Sequence, residues 1–172
     1  MKNVLTIITL FACVSVFAQG QTQKETANML AYASGQVMQL ADAMPSEKYE
    51  WTPEEGVRTF AGVLQHLISA NYFFATKLGA TLPAGVNMET LEQDLTTKEE
   101  LQAAIKQSSD LIIGAINNVK DADLPNKIEF PFPGEYTTMT AMLIGLSHTN
   151  EHLGQMIAYC RSNGVVPPWS QQ

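Results

Sequence analysis

TTMTAMLIGLSHTNEHLGQMIAYCRSNG, residues 137–164, is the stretch whose reading decides the fold. Met139, Met142, Leu143, Leu146, Leu153, Ile157 and Cys160 recur three or four apart, the period of a helix with one face on a core. Thr137 or Thr138 supplies a start and Gly164 a stop, so the helix runs to about Asn163. On this reading that stripe makes the core contacts. His148, His152 and Tyr159 fall on another face, beside Ala141 and Gly145, whose small side chains leave room next to them. Two residues four apart stack about 5–6 Å apart on a helix, so His148 and His152 can take adjacent positions on one metal ion.

Three further segments share the helical period. The first, residues 24–44, has Leu30, Ala33, Val37, Leu40, Ala41 and Met44 on one stripe and ends at Pro45. A connection with Tyr49, Trp51, Pro53 and Gly56 leads to Thr59, an N-cap for a helix striped by Phe60, Val63, Leu64, Leu67, Phe74 and Leu78 and stopped by Gly79. After a polar loop, Thr97-Lys98-Glu99-Glu100 has capping-box spacing for a third helix, with Leu101, Ala104, Ile105, Ile112, Ala115 and Val119 inward. Residues 128–134, IEFPFPG, are too proline-rich for a central strand and read as a short hairpin or extended crossing. Four amphipathic helices with a core stripe on each describe an all-α four-helix bundle.

Of the 172 residues, the first 18 read as a secretory signal peptide: Lys2, an apolar run over residues 4–14, then a small-residue cleavage site near Ala18. Residues 19–172 form a single domain, exported to the periplasm or secreted. A rival reading makes Cys13 a lipid-attachment site. No later run approaches the roughly 20 apolar residues of a spanning helix, so no stable membrane insertion of the mature chain is expected. A net charge of −7, with arginine only at positions 58 and 161, argues against nucleic acid as a partner. Once the leader is removed, Cys160 is the only thiol; its place in the apolar pattern reads as a small buried hydrophobe.

His66, the only other histidine, lies mid-helix on the flank of the second stripe. Facing helices of a bundle can bring it to the pair. Three neutral imidazoles leave coordination positions open on a divalent ion such as zinc, nickel or iron, the arrangement of a catalytic site. Trp51, Asn71, Gln155 and Tyr159 are candidates for the surrounding pocket, with Tyr72 a further wall; Trp51 and Tyr72 are equally good packing residues, and for Asn71, Gln155 and Tyr159 the structural reading stands ahead of the functional one. Glu151 sits off the histidine face, about 60° from His148 and 100° from His152, and reads as solvated or supporting. Three functions follow: a metal-dependent enzyme acting on a small molecule, a non-catalytic bundle that binds a metal or small ligand, or a structural bundle with incidental histidines.

GVRTFAGVLQHLISAN (56–71) followed by HTNEHLGQMIAYCRSNGVVPP (148–168) resembles the DinB/YfiT-like superfamily of metal-dependent four-helix bundles. The shared features are a histidine in the second helix, His-x-x-x-His then Gly-Gln in the fourth, and a Gly-x-x-Pro-Pro ending; the likeness spans about residues 24–169. The resemblance implies His66, His148 and His152 as the metal ligands, a long crossover between helices, and homodimers. It also implies activities like those of relatives that transfer or isomerise with low-molecular-weight thiols. An exported chain departs from that pattern, because it leaves the cytosolic thiol pool.

Overall fold

The computed structural model describes residues 20–170. The expected signal peptide at residues 1–18 and Cys13 lie outside the described residues. Helix α1 is Gln21–Ala43, α2 Phe60–Lys77, α3 Leu91–Asp94, α4 Lys98–Asn118 and α5 Thr138–Ser162. A two-stranded antiparallel hairpin, β1 (Lys127–Ile128) and β2 (Tyr136–Thr137), precedes α5, pairing Lys127 with Thr137 and Ile128 with Tyr136. The proline-rich run forms the turn of this hairpin more than its strands. Short α3, in the loop before α4, has no counterpart in the sequence reading; its single buried residue is Leu91.

Local chemistry sets the helix ends. The Thr59 side chain accepts from the Gly62 N–H at 3.0 Å at the start of α2. Thr97 and Glu100 close the reciprocal capping box of α4. Thr137 caps α5 through the Thr140 N–H. Gly164, at φ 75°, supplies the left-handed residue that ends α5.

The four long helices do not pack in sequence order. Helix α1 packs against α4 and α5, and α2 packs against the same two, so α1 lies diagonally across from α2 and α4 from α5. The α1–α2 and α4–α5 connections therefore cross the bundle ends. Two apolar clusters fill the interior. One is built on Val37, Leu40, Leu64, Leu67, Leu101, Ile105 and Met156, the other on Leu30, Phe74, Ile112, Ile116 and Met142. Ser34, Asn71, Ser108, Ser109 and Thr149, all buried, form a polar layer between them.

The buried face of α5 differs from the sequence expectation. Met139 and Leu143 are 43% and 44% exposed, whereas Ala141, Met142, Gly145, Thr149, Met156 and Tyr159 are buried. A Cβ at Gly145 would stand 3.0 Å from Ile112 Cδ1 and 3.8 Å from the Phe74 ring. The room that Gly145 leaves is thus already filled by side chains of α4 and α2. Reading the stripe from large apolar residues placed the core face too far round the helix, because the closest helix approach is lined by small ones. Among the described residues no helix is long and apolar enough to cross a membrane.

Candidate metal centre

The connection before α2 is pinned from both sides. Tyr49 OH donates to the Ala41 carbonyl at 2.6 Å, and the first N–H groups of α2 donate backward, Phe60 to Trp51 O and Ala61 to Tyr49 O. These bonds satisfy donors that a helix start leaves free and fix the axial position of α2. Two turns in, His66 meets His148 of α5.

His66, His148 and His152 form a group whose ligand nitrogens all lie within 4.8 Å of one another. His66 Nε2 and His148 Nε2 are 3.0 Å apart. Ring centroids are separated by 4.9 Å for His66 with either partner and by 4.5 Å for His148 with His152. Two nitrogens at tetrahedral positions about 2.0–2.1 Å from one ion stand roughly 3.4 Å apart, so the 3.0 Å pair and the 4.8 Å limit on the group bracket the separation that a divalent ion needs. All three rings are half-buried.

Hydrogen bonds fix which nitrogen of His152 is free. Tyr159 OH faces the Arg58 carbonyl at 3.0 Å, and a carbonyl only accepts, so the phenol donates there. Its oxygen then accepts from Gln155 Nε2 at 2.9 Å, which turns Gln155 Oε1 toward His152 Nδ1 at 2.8 Å. His152 must carry its proton on Nδ1, leaving the Nε2 lone pair for an ion. The chain from Arg58 O through Tyr159 and Gln155 thus orients His152. Gln155→Ala should lower metal affinity about 10- to 100-fold, as loss of such a support generally does, while leaving stoichiometry at saturation unchanged. A competition titration with a chromophoric chelator measures this.

Arg58 also acts through its side chain. Its Nη2 donates to His66 Nδ1 at 3.2 Å, which places the His66 proton on Nε2, facing the His148 lone pair. Binding an ion through His66 Nε2 requires that proton to move and the exposed guanidinium to swing away.

Burial, followed by the charges of His152, His66 and Arg58, pushes the His148 pKa down from 6.5 to about 4. Burial, Arg58 and His152 likewise lower that of His66, partly opposed by Glu92 and Glu151. A neutral imidazole at pH 7 keeps its lone pair for a metal. For the metal-free protein the folded state binds fewer protons than the unfolded chain below pH 6.5, so stability should fall as pH drops from about 6.5 toward 4. Solvent screening at a half-buried ring limits the His148 share to about 1–2 kcal/mol. Urea unfolding of metal-free protein at pH 7 and 4.5 should show the loss, and His148→Ala should reduce it.

Beside the triad lies a cavity of about 380 Å³. Its polar side chains come from His66, Ser69 and His148; its walls include Phe73, Phe74, Met88, Phe132 and Ile144.

The sequence candidates divide. Gln155 and Tyr159 stand behind His152, and Trp51 packs its ring edge-on against Tyr159 at 5.2 Å. Asn71 does not join them: it is buried in the polar layer and donates to Ser109 Oγ at 3.3 Å and Ser108 Oγ at 3.4 Å. Five residues from His66 is about 140° round the helix, which turns Asn71 inward. Tyr72 is buried with its hydroxyl on Gln107 Oε1 at 2.8 Å. Glu151 is exposed. Cys160 is buried, and burial pushes its thiol up to about 11, which makes it a poor nucleophile. Sequence reasoning missed the Arg58 side chain and the cavity walls. Arg58 carried a usable signal, being one of two arginines and eight residues from His66.

A helical bundle presenting three clustered imidazoles beside an apolar cavity is the class of protein that the geometry defines. A family model described as the DinB superfamily matches residues 29–156, and the chain belongs to that superfamily. Its fold is similar to that of a DinB-like protein from Bacillus cereus: TM-score 0.68, 16% identity, 84% of this chain and 95% of that one covered. A DinB-like protein from Bacillus subtilis gives TM-score 0.67 at 17% identity, covering 86% and 98%. A conserved protein from Enterococcus faecalis gives 0.63 at 13%, covering 80% and 94%. No curated protein matches the chain in sequence.

Proposed function

We propose that this protein is an exported enzyme, with residues 1–18 as its leader, that uses one divalent ion held by His66, His148 and His152 for hydrolysis or group transfer on a small molecule. The observation that carries the reading is the approach of three imidazoles from two helices, two of them lining a cavity, with no fourth His, Cys, Asp or Glu in the group among the described residues. Zinc, nickel and iron all suit imidazole donors. Such an ion supplies Lewis acidity, which yields a nucleophile from water or a thiol near neutral pH.

The chain's own residues account for the rest. Gln155 and Tyr159 hold His152 in one tautomer. Arg58, once released from His66, leaves a cation near the triad, and the apolar walls lower the polarity of the space beside it. Homodimerisation belongs to the same proposal.

The test is turnover by protein reconstituted with zinc, nickel or ferrous ion, assayed on activated esters and on thiol addition to electrophiles. Activity lost on chelation and in His152→Ala supports the reading. Full metal loading with no turnover in either class, while the cavity admits ligands, would overturn the enzyme and leave a binding protein.

A further inference from the structure

The cavity is polar at one end only. Along α2 it is lined by His66, Ser69, Ala70 and Phe73, positions i, i+3, i+4 and i+7 of one helical face. From α5 come His148 and, one turn nearer the N-terminus, Ile144. The lining therefore changes from imidazole and hydroxyl to aromatic over about 10 Å of helix.

The far end is lined by the loop of the hairpin through Pro131 and Phe132. Phe130 packs against Phe73 and Phe74 at centroid distances of 5.7 and 6.1 Å, and Phe132 packs on Phe130 at 5.1 Å. Phe132 remains 43% exposed although it lines the cavity, so its ring has apolar surface that the fold does not cover. A volume of about 380 Å³ falls within the range of small-molecule sites.

The triad itself brings no carboxylate to the polar end. Three neutral imidazoles contribute no negative charge to balance a divalent ion, and Glu92 and Glu151 influence His66 less than Arg58 does. An anionic head relieves that imbalance at short range.

We propose that this cavity binds a small monoanion with an aromatic tail, the head at His66 and His148 and the tail between Phe73, Phe74 and Phe132. The placement of the head rests on the triad's being a metal centre; the tail site does not. Ala70, the smallest side chain on the α2 face, leaves the space that the ring occupies.

The probes are 3-phenylpropanoate, propanoate and 3-phenylpropanamide, titrated by NMR against the full chain in metal-free and zinc-loaded forms. In the zinc-loaded form 3-phenylpropanoate should bind at least about tenfold tighter than propanoate, because the ring leaves water. It should also bind tighter than the uncharged amide. Ring protons should show contacts to Phe73 and Phe132. Ala70→Phe should remove the tail preference at unchanged metal content, and Phe132→Ala, at a more exposed position, should reduce it.

Equal affinity for propanoate and 3-phenylpropanoate at one zinc per chain would overturn the inference. Tighter binding of the amide than of the acid would overturn the charged head. If no zinc is taken up but the aromatic probes still bind and Ala70→Phe abolishes it, the tail site stands and only the metal reading fails.

Discussion

His148→Ala is expected to lower affinity for a divalent ion by more than about a hundredfold, a larger effect than removing a residue that only orients a ligand. His148 supplies the nitrogen that stands 3.0 Å from His66 Nε2, and without it no pair of α2 and α5 ligands remains at that separation. The fold should persist. The core face of α5 is made by Ala141, Met142, Gly145, Thr149, Leu153 and Met156, whereas His148 is half-buried at its edge. Metal-free stability at pH 7 should change by less than about 1 kcal/mol, as expected away from the core. Chelator competition and urea unfolding on the same preparation separate the two effects. Stoichiometric metal at unchanged affinity would contradict the ligand assignment.

Leu67→Ala should act in the opposite manner, large on stability and indirect on the metal. Leu67 is fully buried in the first apolar cluster, adjacent in sequence to His66 on the helix that packs against both α4 and α5. Truncating a buried leucine costs about 2–5 kcal/mol, made up of lost burial and the cavity left behind. At roughly 2–4 °C per kcal/mol for a chain of this size, Tm should fall by about 5–15 °C. On the proposed site, saturating zinc should restore part of that loss, because a ligand that binds only the folded state stabilises it. Differential scanning calorimetry with and without zinc gives both numbers; a loss below about 1 kcal/mol would show that the bundle interior is not packed as described.

The helices themselves are legible in the sequence because their signals are local. Pro45, Thr59, Gly79, Thr97 with Glu100, and Gly164 mark their ends by backbone chemistry that acts within a few residues. Which helices touch is not local. That α1 lies across from α2 follows from the whole packing arrangement, and the meeting of His66 with His148 depends on it, 82 residues apart.

The spacing of His148 and His152 predicts that those two are neighbours and says nothing of the third. The face of α5 was misread because Ala141, Gly145 and Thr149 carry little hydrophobic signal, yet they occupy the closest contacts. The cavity walls Met88 and Phe132 come from loops that have no period to read. Gln155 and Tyr159 had the right helical spacing from His152, but only the Arg58 carbonyl, brought in from the α1–α2 connection, fixes the direction of their hydrogen bonds.

The central claim is that three histidines from two helices hold one ion, and anomalous diffraction at the zinc edge from crystals of zinc-loaded protein tests it most directly. The account predicts one peak per chain about 2.0–2.1 Å from a nitrogen of each of His66, His148 and His152, with the remaining coordination facing the cavity. A peak held by other residues, or by the His148–His152 pair with His66 still hydrogen-bonded to Arg58, would contradict it.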